Sequence, residues 1–180
     1  MLITKIASFP LGAAFLLSQV GAHVAARFAE RMASLKLKPY HAGILRILGE
    51  DPGVTQQGLC DLLGMFPSRL VGVLDELQKL KLVERRASPT DRRTYALHLT
   101  KAGRDMLSEV GKMAVELQNE VCAGLTEKEC ASLTSLLSRI VAEQQITPAV
   151  HPGYRQIGRG CDEEAGDRKR TSPEPGPAKM

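Results

Sequence analysis

"TQQGLCDLLGMFPSRLVGVLDELQKL", residues 55–80, holds two apolar periodicities separated by a break, and its reading decides the fold. Thr55 is a helix cap by residue type, with a hydroxyl suited to accept a first-turn N–H, and the short helix it starts ends near Gly64. Pro67 carries the fixed φ that suits the first position of a second helix. In that helix Leu70, Val73, Leu74 and Leu77 recur every three or four positions and form the buried side. Ser68, Arg69, Gly72, Asp75 and Lys79 are left on the outside. Two helices joined by a tight turn, the second bearing small and basic outward residues at its amino end, make a helix-turn-helix. Such a second helix fits the major groove of DNA, and Pro67, Ser68, Arg69 and Gly72 hold the positions from which base edges are read. The unpaired N–H groups of the same end suit a phosphate.

The segment that follows predicts a β-hairpin. "LVERRA" (82–87) and "TYALHL" (94–99) are short enough for strands, and Tyr95, Leu97 and Leu99 alternate with Thr94, Ala96 and His98 as in a half-buried strand. Between them "SPTDRR" (88–93) is a turn-rich loop. An arginine on the tip of a stiff two-stranded projection can enter the narrow minor groove, which no helix fits. Arg92 and Arg93 have that place, Asp91 is positioned to orient one of them, and Arg85 and Arg86 on the first strand are placed for backbone phosphates.

Upstream, Pro39 opens a helix with Ile44, Leu45 and Leu48 on its apolar side, broken by "GEDPG" at 49–53. Before it, a longer helix is expected from Pro10 or Leu11 to about Leu35, with Gly12 and Gly21 inside it as points where another helix can come close. Lys5 followed by "IASFPLGAAFLLSQVGAHVA" (6–25) has the outline of a secretory signal. Against that, Leu17, Val20, Val24, Phe28, Met32 and Leu35 keep a helical period straight through the would-be cleavage region. With Gln19 and His23 in it, the stretch is also too polar and too short to span a membrane.

Downstream, Thr100 is the expected cap of a fifth helix with the seam Leu107, Val110, Ala114, Leu117 and Val121. In "LTEKE" (125–129), Thr126 and Glu129 make a capping box that starts a sixth helix, whose apolar side is Leu133, Leu136, Leu137, Ile140 and Val141. The expected fold class is therefore mainly α with a small β-hairpin wing. The segments are an amino-terminal helix (1–36), the winged helix-turn-helix (37–100), two carboxy-terminal helices (101–147) and a tail (148–180). That tail, with five prolines and five glycines among its 33 residues and hardly any apolar periodicity, is expected to be disordered.

The charge distribution agrees with a polyanionic partner. The 180 residues carry 24 Lys and Arg against 20 Asp and Glu. Yet Gly64 to Arg104 holds nine basic and four acidic residues, and Asp105 to Thr147 holds three basic and seven acidic. The four cysteines, Cys60, Cys122, Cys130 and Cys161, form no C-x-x-C pair and no metal pattern, so reduced thiols in the cytoplasm are expected. Cys122 and Cys130 fall either side of a turn and can approach one another. No nucleophile with a neighbouring base, paired carboxylate motif, Gly-rich phosphate loop or metal signature occurs, which argues against an enzyme and against a cofactor.

Residues 55–107, "TQQGLCDLLGMFPSRLVGVLDELQKLKLVERRASPTDRRTYALHLTKAGRDML", resemble the winged helix-turn-helix of the MarR family of bacterial transcription regulators. Its most specific part is the Asp-Arg-Arg wing followed by "LTKAG", and the likeness extends from about Leu11 to Ile146. The resemblance implies a homodimer, built by interlocking of the first, fifth and sixth helices, that binds double-stranded DNA at an inverted-repeat operator, more in the manner of a repressor. It implies that Ser68, Arg69 and Gly72 face the major groove, that Arg92 or Arg93 enters the minor groove, and that Thr55, Gln56 and Gln57 contact phosphate. It also implies release by a small phenolic or aromatic-acid effector, for which His23, Arg27, Tyr40 and His41 have suitable chemistry. Phe66, where the family often has a small polar cap, and Lys81, where a glycine usually ends the helix, depart from its pattern. The competing class is a winged-helix protein-interaction module without DNA binding, which would not need the basic wing.

Overall fold

The computed structural model describes residues 12–87, 95–147 and 150. In chain order they form α1 (Ala13–Ser34), α2 (Pro39–Glu50), α3 (Gln56–Leu63), α4 (Pro67–Lys79), β1 (Val83–Ala87), β2 (Tyr95–Leu99), α5 (Lys101–Val121) and α6 (Glu127–Glu143). The expected order of six helices and a hairpin is met among these residues. Helix α1 begins later than the sequence indicates: Gly12 is its extended N-cap, outside the helix interior, while Pro10 and Leu11 lie outside the described residues. Among the described residues a methyl group added at Gly21 would meet nothing within 4 Å, so none of the described helices approaches it closely.

The caps explain the boundaries. Thr55 Oγ1 accepts from Gly58 N at 3.1 Å, and Thr100 Oγ1 from Gly103 N at 2.9 Å. Thr126 and Glu129 close the capping box. Gly64 ends α3 at φ 62, the left-handed conformation that glycine adopts without strain. Lys81 does the same after α4 at φ 59 despite its side chain, and Leu82 N donates to Leu77 O at 3.0 Å to complete the turn. The missing glycine is thus absorbed at the cost of a strained residue.

One core unites the winged lobe with the long helices. Ile44, Leu45 and Leu48 of α2, Leu59 and Leu63 of α3, Leu70, Leu74 and Leu77 of α4, and Leu97 of β2 are fully buried, together with Met32 of α1. Val110 of α5 joins the same cluster, and half-buried Val150 packs against it. The rest of the expected tail, 148–149 and 151–180, lies outside the described residues.

The hairpin pairs Val83 with Leu99 and Ala87 with Tyr95 in antiparallel register. Its burial departs from strict alternation, because Tyr95 is 57% exposed whereas Ala96 is buried. The cause is a third backbone segment on the free edge of β2. Leu97 N donates to Val54 O at 3.0 Å, Gly53 N to Leu97 O at 2.9 Å, and Thr55 bridges Ala96. Tyr95 lies beyond that cover.

The outer helices are different. Leu17 and Val20 of α1 and Leu133, Leu136 and Ile140 of α6 are exposed, and α6 has no buried residue. In the α5 seam Val110 and Leu117 are buried, but Ala114 and Val121 are exposed. At the α5–α6 turn the Cys130 thiol is pushed up, first by burial and then by the neighbouring Cys122. Among the described residues no helix is long and apolar enough to cross a membrane.

Candidate nucleic-acid interface

Helix α4 is positioned by its own sequence. Pro67 starts it, Phe66 is an extended N-cap whose side chain makes no cap hydrogen bond, and the leucine face fixes its rotation. Ser68 and Gly72 are exposed and Arg69 half-buried, on the side away from Leu70 and Leu74. Among the described residues a methyl group at Gly72 would meet nothing within 4 Å, which leaves the backbone open to close approach.

The preceding helix presents Thr55, Gln56 and Gln57 at its amino end. Thr55 is engaged as cap, and Gln57 Nε2 donates to Asp61 Oδ1 at 2.8 Å. Asp91, Arg92 and Arg93, expected at the wing tip, lie outside the described residues. Arg85 and Arg86 are described, and strand alternation sends them to opposite faces. Arg85 Nη2 donates to Asp75 Oδ1 of α4 at 3.0 Å, a pair that ties the wing to α4. Arg86 Nε donates to Glu84 Oε1 at 3.0 Å. Each arginine thus has an acidic partner within the chain.

The four residues of the expected effector site are not brought together. Arg27 Nη2 donates to Glu120 Oε1 of α5 at 2.8 Å, and Arg31 reaches the other oxygen of the same carboxylate. The hydrogen bond from Arg27 is the main reason the Glu120 pKa is lowered, and His23 adds to it. Tyr40 and His41 belong to a separate cluster around Glu76 on α4. His41 is 2% exposed; its Nδ1 accepts Lys38 N–H at 3.1 Å, which places the proton of the neutral ring on Nε2, 3.0 Å from Glu76 Oε2. Lys38 Nζ lies 3.0 Å from both Glu76 oxygens, and Tyr40 Oη donates at 3.3 Å. Glu76 is the residue the sequence reading missed; only its long-range partners on α2 distinguish it from an ordinary surface glutamate. A cavity of about 390 Å³ between α2, the wing and α5 is lined by Leu48, Gly49, Pro52, Arg86, His98, Leu99, Arg104 and Leu107, and so by none of the four.

This cluster has a pH signature. Burial lowers the pKa of His41 below its ordinary 6.5, against the pull of Glu76. At Glu76 burial opposes the charge, but Lys38 and then His41 outweigh it and the pKa falls below 4.5. Above pH 6.5 the imidazole is neutral whether folded or unfolded, so its contribution is complete. As the pH falls through 6.5 toward the depressed folded value the unfolded chain binds the proton first, and stability declines. Thermal unfolding between pH 8 and 5 is expected to show this loss, and His41→Gln to flatten it; a wild-type midpoint that rises on acidification overturns the assignment.

The helix pair, the outward small and basic residues and the adjacent hairpin define a winged helix-turn-helix protein. Comparison with known proteins names the family. A family model described as MarR family matches residues 35–94. A protein of Thauera aromatica named as a transcriptional regulatory protein for the hcr operon is 32% identical over 107 residues, 59% of this chain and 64% of that protein. The chain therefore spans less than two thirds of that relative. A transcriptional regulator from Pseudomonas aeruginosa of known crystal structure is 32% identical, with TM-score 0.61 and coverage of 72% of this chain and 96% of that one. The repressor CouR, solved on a 23-mer DNA duplex, is 26% identical at TM-score 0.65, covering 78% and 98%. The chain belongs to the MarR family. These relatives are named as regulators or a repressor, in line with the reading of the chain as a non-enzyme.

Proposed function

We propose that the protein is a cytoplasmic transcriptional regulator that binds an inverted-repeat operator as a homodimer and acts as a repressor. The observation that carries the reading is the open outer face of α4, with Ser68, Arg69 and Gly72, beside a hairpin tied to it by Arg85 and Asp75. The likeness to CouR, solved on a 23-mer DNA duplex, supports DNA as the partner. The exposed apolar faces of α1 and α6 support the homodimer, since contiguous patches of that kind need a partner. The two half-sites then sit one helical turn apart, ~10 bp.

The test is DNA binding against salt. Affinity is expected to fall steeply as salt rises, because each neutralised phosphate releases counterions. Changing Arg92 and Arg93 together to alanine is expected to lower affinity by about tenfold to a hundredfold and to make the slope shallower. Absence of binding at low salt overturns the reading and leaves the protein-interaction module in its place. For release, the effector class we propose is a small aromatic acid that competes with Glu120 for Arg27. Added benzoate then weakens operator binding by the wild type and not by Arg27→Ala.

A further inference from the structure

Phe66 is the most exposed large hydrophobic among the described residues, at 78%, and it stands at the amino end of α4. Nothing in the folding of this turn calls for its ring. Met65, the residue before the cap, and Leu70, the fourth residue of the helix, are both buried in one core cluster, the arrangement of a hydrophobic staple that fixes how the chain enters the helix. Pro67 presets the first helical φ. Phe66 makes no side-chain cap, so the position forgoes the hydrogen bond that a serine or aspartate would give. The chain thus gives up helix stability and leaves an aromatic ring in water at one place, the end of the helix that enters the groove.

We propose that Phe66 is a specificity-determining residue that reads the 5-methyl group of a thymine in the major groove. This inference rests on the DNA-binding reading above. The major groove offers one strongly apolar feature, the thymine methyl, and phenylalanine is one of the side chains that pack on it. Phe66 lies two residues before Ser68 and three before Arg69, near the start of the stretch Gly64 to Arg104 with its excess of basic residues. Phosphate attraction therefore brings the ring to a base edge, where an acidic or neutral surface would not. The exposed aliphatic Val71, on the same helix, widens the apolar part of the footprint.

The test uses the full chain and an operator duplex selected by the wild-type protein from a random pool. Deoxyuridine replaces thymine one position at a time, removing only the methyl group. At the contacted position in each half-site the wild type is expected to lose about fourfold in affinity, or about 15-fold for both half-sites, the worth of one methyl group taken out of water at each. Phe66→Ser is expected to lose affinity for the thymine duplex and to be indifferent to uracil at that position, while its thermal midpoint rises because a cap is gained. Equal uracil effects in wild type and Phe66→Ser at every position, with steep salt dependence retained, overturn the proposal and leave DNA binding standing. Unchanged operator affinity in Phe66→Ser also overturns it. Failure of the wild type to select any duplex removes both readings.

Discussion

Gly103→Ala is expected to destabilise the protein at the upper end of the ~1–3 kcal/mol typical of overpacking, lowering the thermal midpoint by about 6–12 °C. The added methyl group would stand 2.0 Å from the carbonyl oxygen of Leu82 and 3.0 Å from its carbonyl carbon. Those are backbone atoms, and they cannot swing aside. Leu82 O accepts from Thr100 N at 3.1 Å, Lys81 O accepts from Thr100 Oγ1 at 2.7 Å, and Leu82 N is held by Leu77 O. The start of α5, the exit of α4 and the root of β1 are thus clamped at one point, and only a residue without a side chain lets them meet there. Moving α5 would also disturb the wing, because Arg104 Nη1 donates to Leu99 O at 3.0 Å. Gly111→Ala supplies the control. It lies on the same helix, an added methyl group there meets nothing within 4 Å, and the change is expected to stabilise by about 0.8 kcal/mol through helix propensity. Thermal denaturation of both variants checks the pair of signs; a neutral Gly103→Ala would show that the three elements are not held together here.

How legible each feature was in the sequence follows from the range of the interaction behind it. Leu70, Val73, Leu74 and Leu77 are all buried, as their spacing requires, because a helical face is fixed by neighbours three and four residues apart. Thr55, Thr100 and Thr126 cap as expected for the same reason, each accepting from a backbone N–H three residues on. The burial of Ala96 was not legible, since it depends on an edge partner some forty residues upstream. Nor was the separation of His23 and Arg27 from Tyr40 and His41. Their residue types advertise hydrogen bonding and charge, but Glu120 and Glu76, which come from α5 and α4, decide which pair goes where. Arg85 and Arg86 show the same limit: adjacent in sequence, they are sent to opposite faces by the strand, and the ion pair of Arg85 with Asp75 is made across ten positions. Charge marks a residue as polar without naming its partner.

The largest effect is expected at α6. Leu136 is 54% exposed in the protomer, on a helix with no buried residue, so Leu136→Glu removes no core contact and keeps helix propensity. Helical content of the variant should match the wild type. In the proposed homodimer the same position is covered, and twofold symmetry buries two uncompensated carboxylates rather than one. At several kcal/mol for each, the dimer dissociation constant is expected to rise by about a thousandfold or more. Sedimentation then gives twice 19.5 kDa for the wild type and a single 19.5 kDa chain for the variant. Operator affinity should fall with it, by ~10² to 10⁴, because two linked half-site contacts become one. The salt slope separates this loss from a damaged DNA surface: a monomer with an intact α4 and wing keeps about half of the wild-type slope, as half of the phosphates are still neutralised per bound chain. A variant that stays dimeric would move the assembly away from α6, toward the exposed apolar residues of α1, Phe15, Leu16, Leu17 and Val20, and of α5, Val115 and Val121.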